Sequence, residues 1–376
     1  MKARKDEILT IVLFCGFLSV MLLCYLLLPK KDFSEKEKRY LEKAPVFSGE
    51  ELLSGKLSDS IEKYMADHIP GRDFFVGLDA YVSLLSGRQI TGDVRLLTGE
   101  RIVEAPVEWN ETAVQKNVSA ILSFADSLDR PIDFMIIPSA GWASDNSRVA
   151  TLDFFGQESY ADEQHISSVY GRMDENVRCM DTLNVMRGRE ELYYRTDHHW
   201  TSEGAYEMYR AYMTSLNRKY LSKEEFTVES VPGFRGSTYS RSALWNVSGE
   251  DLELWHSGTE LLVTNGESDD THKGVFYRQR LEENDKYTVY LDGNHSIVRI
   301  ENPAMAGAGK LLVIRDSYSN SLGCFLAESY ETVVLVDMRY YKKPASQLCA
   351  QEEFADILVC YSIGNFMSDT NLVWLR

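Results

Sequence analysis

Apolar and polar residues are distributed unevenly along the chain, and the first feature is a run without any charged residue at positions 8–28. A helix needs about 20 apolar residues to cross the hydrocarbon core of a bilayer, so this run is long enough to span a membrane. Lys2, Arg4 and Lys5 precede it, which favours a cytoplasmic N-terminus. The pattern predicts a single-pass protein of the cell membrane, with residues 1–7 in the cytoplasm and an extracytoplasmic C-terminal domain.

A cleaved signal peptide is the alternative explanation for the same run. The apolar region of a signal peptide is usually only about 7–15 residues long, and small residues follow it at the cleavage site. Positions 25–31 are Tyr-Leu-Leu-Leu-Pro-Lys-Lys and contain no such site. We therefore expect residues 8–28 to be an uncleaved transmembrane signal-anchor.

Residues 29–92 are predicted to form a juxtamembrane tether and a helical region. Up to about position 50 the segment is charged and sparsely apolar, as a tether would be. Between positions 52 and 85 apolar residues recur every three to four positions, which is typical of one face of a helix. The sequence Ile-Pro-Gly-Arg at 69–72 should interrupt that helix.

Residues 93–376 are predicted to form an α/β domain with a mostly parallel sheet. Short strands are expected at 94–97 and 101–104, and the apolar run at 132–138 is typical of a strand buried on both faces. Strands alternating with helices imply parallel crossovers and helices on both faces of the sheet. A β-hairpin is expected at 287–300, around Asp292-Gly293. The C-terminal alternation of strand and helix is expected at 310–315, 320–328, 332–337, 345–354 and 355–362.

The composition narrows the possible partners. The formal net charge is −17, and an acidic domain lacks the basic surface that nucleic acid requires, so we expect no nucleic-acid partner. The six cysteines are widely spaced and match no zinc pattern. We expect free thiols at Cys349 and Cys360 rather than a bridge between them, and neither a metal nor a cofactor.

The first candidate for chemistry is the segment 315–319, Arg-Asp-Ser-Tyr-Ser, between a predicted buried strand and a helix. Ligands of parallel α/β sheets bind beyond the carboxyl ends of the strands. Ser317 would lie there, near helix N–H groups that can hold an oxyanion. A serine hydroxyl is a weak nucleophile until a base takes its proton. A serine at the start of a helix is also common as a simple N-cap.

The second candidate is the segment 196–201, Thr-Asp-His-His-Trp-Thr, before a predicted helix. If the segment is extended, Asp197 and His199 project to the same side and His198 to the other. An acid beside an imidazole can fix its tautomer, as in a Ser-His-Asp triad. Asp197, His198 and His199 could instead supply three metal ligands, although no second cluster of ligands completes a cage. The residues alone leave a catalytic triad, a metal site and a structural role open.

The residues at 197–200, Asp-His-His-Trp, resemble the motif that names the DHHW family of bacterial cell-envelope proteins. That family is similar to the SGNH-hydrolase-like group that includes the alginate O-acetyltransferases, in which an Asp-x-His-Trp motif precedes a Gly-Asp-Ser-like motif. Residues 315–319 resemble the second motif, with Arg315 where a glycine is common. The single span, the charged tether and the segment 64–73 also resemble the family, so the resemblance covers most of the chain.

The resemblance implies an SGNH-hydrolase-like three-layer fold and assigns roles to three residues. Ser317 would be the nucleophile, His199 the base and Asp197 the orienting acid. Their order along the chain differs from that of ordinary SGNH esterases, but the same triad geometry occurs in several chain orders. Asn365, after the last predicted strand, is a candidate oxyanion group, with a plain turn as the alternative.

The resemblance also implies O-acyl transfer, with acetyl as the expected group, to an envelope or secreted polysaccharide. A membrane acyltransferase partner would supply the acyl group outside the cytoplasm. Two alternatives remain open: a carbohydrate esterase of the same fold, and a noncatalytic envelope-binding or assembly protein. The same triad serves transfer and hydrolysis, so the sequence does not separate them.

Overall fold

The computed structural model describes residues 2–34, 39–88, 90–91, 93–128, 130–144, 159–266, 268 and 270–376. Its helices are α1 (Lys2–Leu27), α2 (Gly49–Leu53), α3 (Lys56–His68), α4 (Arg72–Leu85), α5 (Glu111–Asp126), α6 (Ala140–Ala143), α7 (Asp162–Tyr170), α8 (Thr182–Met186), α9 (Ser202–Ser215), α10 (Ser237–Ser242), α11 (Ser319–Leu326), α12 (Ala345–Gln351) and α13 (Ile363–Ser368). Its strands are β1 (Phe33–Ser34), β2 (Arg39–Tyr40), β3 (Ile90–Thr91), β4 (Val94–Leu97), β5 (Arg101–Glu104), β6 (Ile132–Ile137), β7 (Val177–Cys179), β8 (Thr227–Phe234), β9 (Glu250–His256), β10 (Leu262–Asn265), β11 (Thr271–Lys273), β12 (Ile297–Glu301), β13 (Lys310–Arg315), β14 (Thr332–Val336) and β15 (Asp356–Ser362).

The largest sheet has eight strands in the order β11-β10-β12-β14-β13-β15-β6-β7. From β14 to β7 the neighbouring strands are parallel, whereas β12, β10 and β11 extend one edge in antiparallel pairs. Strands β6, β14 and β15 are buried along their whole length, as expected for strands covered on both faces. The predicted mostly parallel sheet is confirmed.

Successive residues of the central strands face two different apolar cores. Leu311 and Val313 of β13 belong to one core, and Leu312 and Ile314 belong to the other. Residues of α9 and α11 complete the first core, and residues of α5, α7, α12 and α13 complete the second. The domain therefore has three layers, helices on both sides of one sheet, which is the SGNH-hydrolase-like architecture implied by the resemblance.

The N-terminal helix α1 is separate from both cores. Its stretch from Lys5 to Leu27 has a mean hydropathy of 2.5, and none of it is buried against the protein. The helix has the length and composition of a membrane span. The side of the membrane on which the α/β domain lies stays a prediction, as does the division of the rest at 29–92 and 93–376.

The hairpin predicted at 287–300 is wrong. A 3₁₀ helix occupies Lys286–Val289, and the strand β12 begins only at Ile297. Leu291, Asp292 and Gly293 have φ angles of 56°, 65° and 83°. A two-residue hairpin turn accommodates only two such residues, so this longer left-handed turn separates the segments instead of pairing them.

The cysteines are free thiols, as expected for Cys349 and Cys360. Burial raises the pKa of the Cys349 thiol to about 11, so this thiol is protonated at neutral pH. Burial also raises the pKa of the Cys360 thiol, which lies inside the first core. Neither thiol has the thiolate character that a reactive cysteine needs.

Candidate active site

Ser317 lies on the turn between β13 and α11, at the carboxyl edge of the parallel strands. The side chain of Asp316 fixes this turn, because its Oδ2 accepts hydrogen bonds from the N–H of Ser362 and from Asn365 Nδ2, both at 2.8 Å. Its Oδ1 accepts the N–H of Tyr318 at 3.1 Å. Between positions 315 and 320 only Ser317 is not buried, so a ligand can reach its hydroxyl.

The segment 196–200 is held in a closed loop just before α9. Tyr193 and Trp200 form an isolated antiparallel bridge at the base of the loop. The carboxylate of Glu250 accepts the N–H of Thr196 at 2.7 Å and its hydroxyl at 2.6 Å. These contacts fix the backbone immediately before Asp197.

Asp197, His199 and Ser317 form one hydrogen-bonded series. His199 Nε2 lies 2.8 Å from Ser317 Oγ, and His199 Nδ1 lies 2.5 Å from Asp197 Oδ1. Asp197 Oδ1 also accepts the backbone N–H of His199 at 2.9 Å, and its Oδ2 accepts the N–H of Ser237 at 2.6 Å. The structure thus brings together the three residues predicted from the sequence, in the arrangement that a serine triad requires.

The segment does not meet the condition of an extended conformation, because residues 195–199 are bent. The rings of His198 and His199 consequently lie side by side, with centroids 3.8 Å apart, instead of pointing to opposite sides. The two histidines still differ in their partners. His198 Nδ1 lies 2.5 Å from Ser237 Oγ, whereas His199 alone reaches Ser317.

The charges in the site favour an ionised acid beside a neutral second histidine. Burial opposes the charge of Asp197, but His199, His198 and the donated hydrogen bonds outweigh it and hold the pKa of Asp197 well below its usual range. Burial, together with repulsion from His199, lowers the pKa of His198. His198 is therefore neutral at pH 7, and Asp197 carries the negative charge of the site.

Two aromatic residues support the base and the nucleophile. The ring of Tyr287 stacks on His199 with centroids 3.9 Å apart and an angle of 6°. Trp200 Nε1 donates to the carbonyl oxygen of Tyr318 at 3.1 Å and to Ser321 Oγ at 2.8 Å. Residues from both sequence motifs are thereby joined through buried side chains.

Four of these supporting residues were not predicted. A Cβ atom at Gly236 would lie 2.1 Å from Asp197 Oδ2, so only a glycine allows this close approach. Ser237 donates to the same carboxylate, Glu250 fixes Thr196 and Tyr287 stacks on the base. Each acts across a long stretch of sequence and belongs to no local motif. The Gly-Ser pair at 236–237 before a short helix was the one visible signal.

The structure shows the contacts of Arg315 and Asn365, the two positions whose roles the sequence left open. Arg315 is fully buried, and its Nη1 donates to Asn320 Oδ1 at 2.7 Å and to Asn294 Oδ1 at 2.9 Å. Its side chain therefore does not displace Ser317 from His199. Asn365 donates one amide hydrogen to Asp316, so its first role is to hold the turn, and it retains a second donor hydrogen.

The metal alternative involves the same residues. Among the residues that the structure describes, Asp197, His198 and His199 are the one group of three metal-ligating side chains, with ligand atoms within 4.8 Å of one another. Both oxygens of Asp197 already accept hydrogen bonds, and His198 Nδ1 contacts Ser237. A metal would have to replace these bonds, so the donor set fits a triad better than a metal centre.

A polar cleft of about 360 Å³ is lined by residues that adjoin the triad, although Ser317 itself is not part of its lining. It is lined by Glu104, Arg241, His198 and Asn365, among others. His198 adjoins His199, and Asn365 holds Asp316, so two lining residues of the cleft contact the neighbours of Ser317. Glu104 and Arg241 form an ion pair with Oε1 and Nη2 2.7 Å apart. The cleft offers hydrogen-bonding groups to a ligand that approaches Ser317.

A three-layer α/β domain with serine, histidine and aspartate joined at the carboxyl edge of its sheet defines an SGNH-hydrolase-like protein. The model of the DHHW protein family matches residues 132–336, which is more than half of the chain, and this protein belongs to the DHHW family. A search of curated proteins found no match.

Several solved structures are similar to this chain at low sequence identity, and two of the three described here have TM-scores above 0.6. A DHHW family protein from Eubacterium siraeum is 20% identical, with 75% of this chain and 93% of that chain covered and a TM-score of 0.64. Bacillus cereus PatB1, solved with a sulfonyl adduct, is 18% identical, with 74% and 97% covered and a TM-score of 0.61. The O-acetyltransferase domain of Pseudomonas putida AlgJ is 13% identical, with 73% and 92% covered and a TM-score of 0.42.

Proposed function

We propose that this protein is an O-acyltransferase, with acetyl as the transferred group, and that it acts on a polysaccharide outside the cytoplasm. The observation that carries the proposal is the hydrogen-bonded series from Asp197 through His199 to the accessible hydroxyl of Ser317. Its place at the carboxyl edge of a parallel sheet, beside a polar cleft, supports a catalytic role over a structural one.

The first half-reaction forms an acyl-enzyme. Ser317 Oγ attacks the carbonyl carbon of the acyl donor while His199 Nε2 takes the hydroxyl proton. Asp197 holds the imidazole in the tautomer whose Nε2 is free to accept that proton, and it stabilises the imidazolium that results. Collapse of the tetrahedral intermediate breaks the bond to the donor, and His199 returns the proton to the leaving group.

The oxyanion of the intermediate needs hydrogen-bond donors. The backbone N–H of Ser317 has no hydrogen-bond partner among the described residues, so it is available to the oxyanion. The second amide hydrogen of Asn365 is the other candidate, because Asn365 lines the cleft and adjoins the serine turn. Two such donors stabilise charge that is present only in the transition state.

In the second half-reaction a sugar hydroxyl attacks the acyl-enzyme, and His199 takes the proton of that hydroxyl. Release of Ser317 completes the transfer. Water in place of the sugar gives an esterase with the same residues. The polar lining of the cleft, with Glu104, Arg241 and Asn365, supports a hydroxyl-rich acceptor, because such groups can bind sugar hydroxyls.

The proposed setting is the outer face of the cytoplasmic membrane. Basic residues before α1 favour a cytoplasmic N-terminus, which puts the acidic α/β domain outside. A membrane acyltransferase would supply the acyl group there. Protease added to cells without outer layers should digest the α/β domain. If an intact membrane protected the domain from the protease, the opposite topology would be correct.

The test of the chemistry is covalent labelling of Ser317. A sulfonyl fluoride should add one sulfonyl group to the purified full chain, by mass spectrometry, and Ser317→Ala should abolish the adduct. Ser319→Ala is the matched control, because this buried serine lies two positions further on and should leave labelling unchanged. Labelling that persists in Ser317→Ala, or absence of labelling in the parent, would favour a noncatalytic protein.

Transfer and hydrolysis are separated by the fate of the acyl group. The full chain should release nitrophenol from 4-nitrophenyl acetate and give an acetylated oligosaccharide when an acceptor is present. Acetate as the sole product with every acceptor class tried would establish the esterase instead.

A further inference from the structure

Helix α4 has an exposed face made entirely of large apolar side chains. Phe74, Phe75, Leu78, Val82 and Leu85, here called the α4 stripe, are between 40% and 87% exposed. Their spacing of three to four residues puts them on one side of the helix. A surface helix of a soluble protein normally places charged or polar residues on this side.

The buried face of α4 is made of smaller residues. Gly77, Ala80 and Leu84 are its buried residues, and they face the rest of the domain. A Cβ atom at Gly77 would lie 2.2 Å from Trp245 Nε1, so the helix packs closely there. Tyr81 accepts the N–H of Trp245 at 3.0 Å. The helix is therefore attached to the domain by its buried face, and the residues of the α4 stripe are exposed on the opposite face.

The N-terminus of α4 lies close to the end of the membrane span. His68 Nε2 contacts the carbonyl oxygen of Lys31 at 3.1 Å, only a few residues beyond the end of α1. Leu28 and Arg72 line the same cavity, which joins the end of the span to the first turn of α4. The headgroup layer of a bilayer is about 5–8 Å thick on each side, so a helix that begins this close to the end of the span can reach that layer.

The residues around this junction suit a membrane interface. Lys30 and Lys31 follow the span directly, and long basic side chains near the end of a transmembrane helix can reach the interface. The half-exposed ring of Trp245 stacks on Phe74 with centroids 5.6 Å apart. Tryptophan and other aromatic residues are enriched at the level of the headgroups. Apolar, aromatic and basic residues thus occur together beside the end of the span.

We infer that the α4 stripe lies on the membrane surface and contacts lipid. This inference rests on the proposed membrane span. The domain would then have two membrane attachments, the helix α1 through the bilayer and the stripe on its surface. An apolar face buried at the interface gains free energy in proportion to the apolar area removed from water.

The test places a photoreactive benzoylphenylalanine in the full chain, at one position at a time, in membranes isolated from the expressing cells. The positions are Leu78 on the stripe, Asp79 beside it and Val12 within α1. After irradiation, mass spectrometry should find lipid adducts at positions 78 and 12, with about fivefold less or none at 79, because Asp79 is exposed on the polar side of the helix.

The controls separate the stripe from the span. A lipid adduct at position 12 without one at 78 would overturn the inference and leave the span intact. Absence of lipid adducts at both positions would reject the membrane anchor itself. A covalent dimer or an adduct to another protein at position 78 would assign the stripe to a protein interface. Each variant must keep the melting temperature and the sulfonyl labelling of the parent, which shows that α4 is still folded on the domain.

Discussion

Trp200 donates its indole N–H to the carbonyl oxygen of Tyr318 at 3.1 Å, so the loop that holds His199 is joined directly to the residue after Ser317. Replacing this tryptophan by phenylalanine, Trp200→Phe, removes one donor from two buried acceptors. Each acceptor keeps one other contact, because Ser321 Oγ lies 3.4 Å from the Tyr318 carbonyl oxygen and the Tyr287 hydroxyl lies 3.0 Å from Ser321 Oγ. We therefore expect a loss of about 0.5–1.5 kcal/mol in the free energy of unfolding, the net value of a typical hydrogen bond. Denaturant titration measures it, and the rate of sulfonyl labelling should fall as well.

Trp109→Phe is the matched control for this change. Trp109 Nε1 donates to the exposed carboxylate of Glu111 at 3.0 Å, where water can replace the bond. The control should change neither the unfolding free energy nor the labelling rate appreciably. Equal losses in both variants would mean that the link between the two motifs has no special importance.

The two adjacent histidines should behave differently. His199→Ala should abolish acyl-enzyme formation about as fully as Ser317→Ala, because triad members act as a unit. His198→Ala should retain measurable activity, because His198 contacts Ser237 and not Ser317. Burst kinetics on an activated acetyl ester, with and without a chelator, measure this. Complete loss in both histidine variants together with chelator sensitivity would replace the triad with metal chemistry.

Gly236→Ala should inactivate the protein without unfolding it. The added methyl group would lie 2.1 Å from Asp197 Oδ2, so the carboxylate must move away from His199. We expect the labelling rate to fall by about 10²–10⁴-fold, as when the orienting acid of a triad is lost. Gly171→Ala should keep the parental rate, because its methyl group would meet only the carbonyl oxygens of Ser167 at 3.3 Å and Ser168 at 3.9 Å.

The partly buried, neutral His198 should make the protein less stable in mild acid. Its pKa is lowered in the folded protein, so as the pH falls below about 6.5 the unfolded chain binds a proton that the folded protein resists. Stability therefore decreases in this range. His198→Gln should show a smaller fall in melting temperature between about pH 7.5 and 5.5.

The comparison isolates His198 from the other titrating groups, which are the same in both proteins. The lowered pKa of Asp197 stabilises the folded protein at any pH above about 4, the usual pKa of an aspartate. This contribution to stability is therefore constant across the pH range of the test. His256→Gln is the control, since the ring of His256 faces the carboxylate of Glu229 at 3.2 Å and not a second histidine. An unchanged pH dependence in His198→Gln would contradict the assignment.

Much of the fold could be predicted because its signals are local. The strands β6, β13, β14 and β15 are short apolar runs between polar breaks, and strands and helices alternate along the chain. The break at 69–72 and the strands at 94–97 and 101–104 also follow from nearby residues. The hairpin at 287–300 failed because Asp292-Gly293 is part of a longer left-handed turn that also includes Leu291.

The candidate site could be predicted only in part, because several of its residues meet through bends and long-range contacts. Asp197 and His199 were paired on the assumption of an extended segment, whereas bends bring them together and place His198 beside them. Ser317 could be added because a strand-to-helix turn is a recognisable location. Gly236 and Tyr287 act across long sequence separations, through shape and stacking, and no local pattern contains that information.

The small apolar cluster under α4 has a mechanical consequence. Ala80 and Leu84 of α4 pack there with Ile102 of β5, and β5 ends at Glu104 on the rim of the cleft. With the α4 stripe on a bilayer, the domain would be attached at two points, which would fix its height and tilt relative to the membrane. Under the proposed function, the entrance of the cleft would then lie within one thin layer above the lipid, and a polysaccharide would have to enter that layer to be acylated. The protein would then select acceptors by their distance from the membrane as well as by their chemistry.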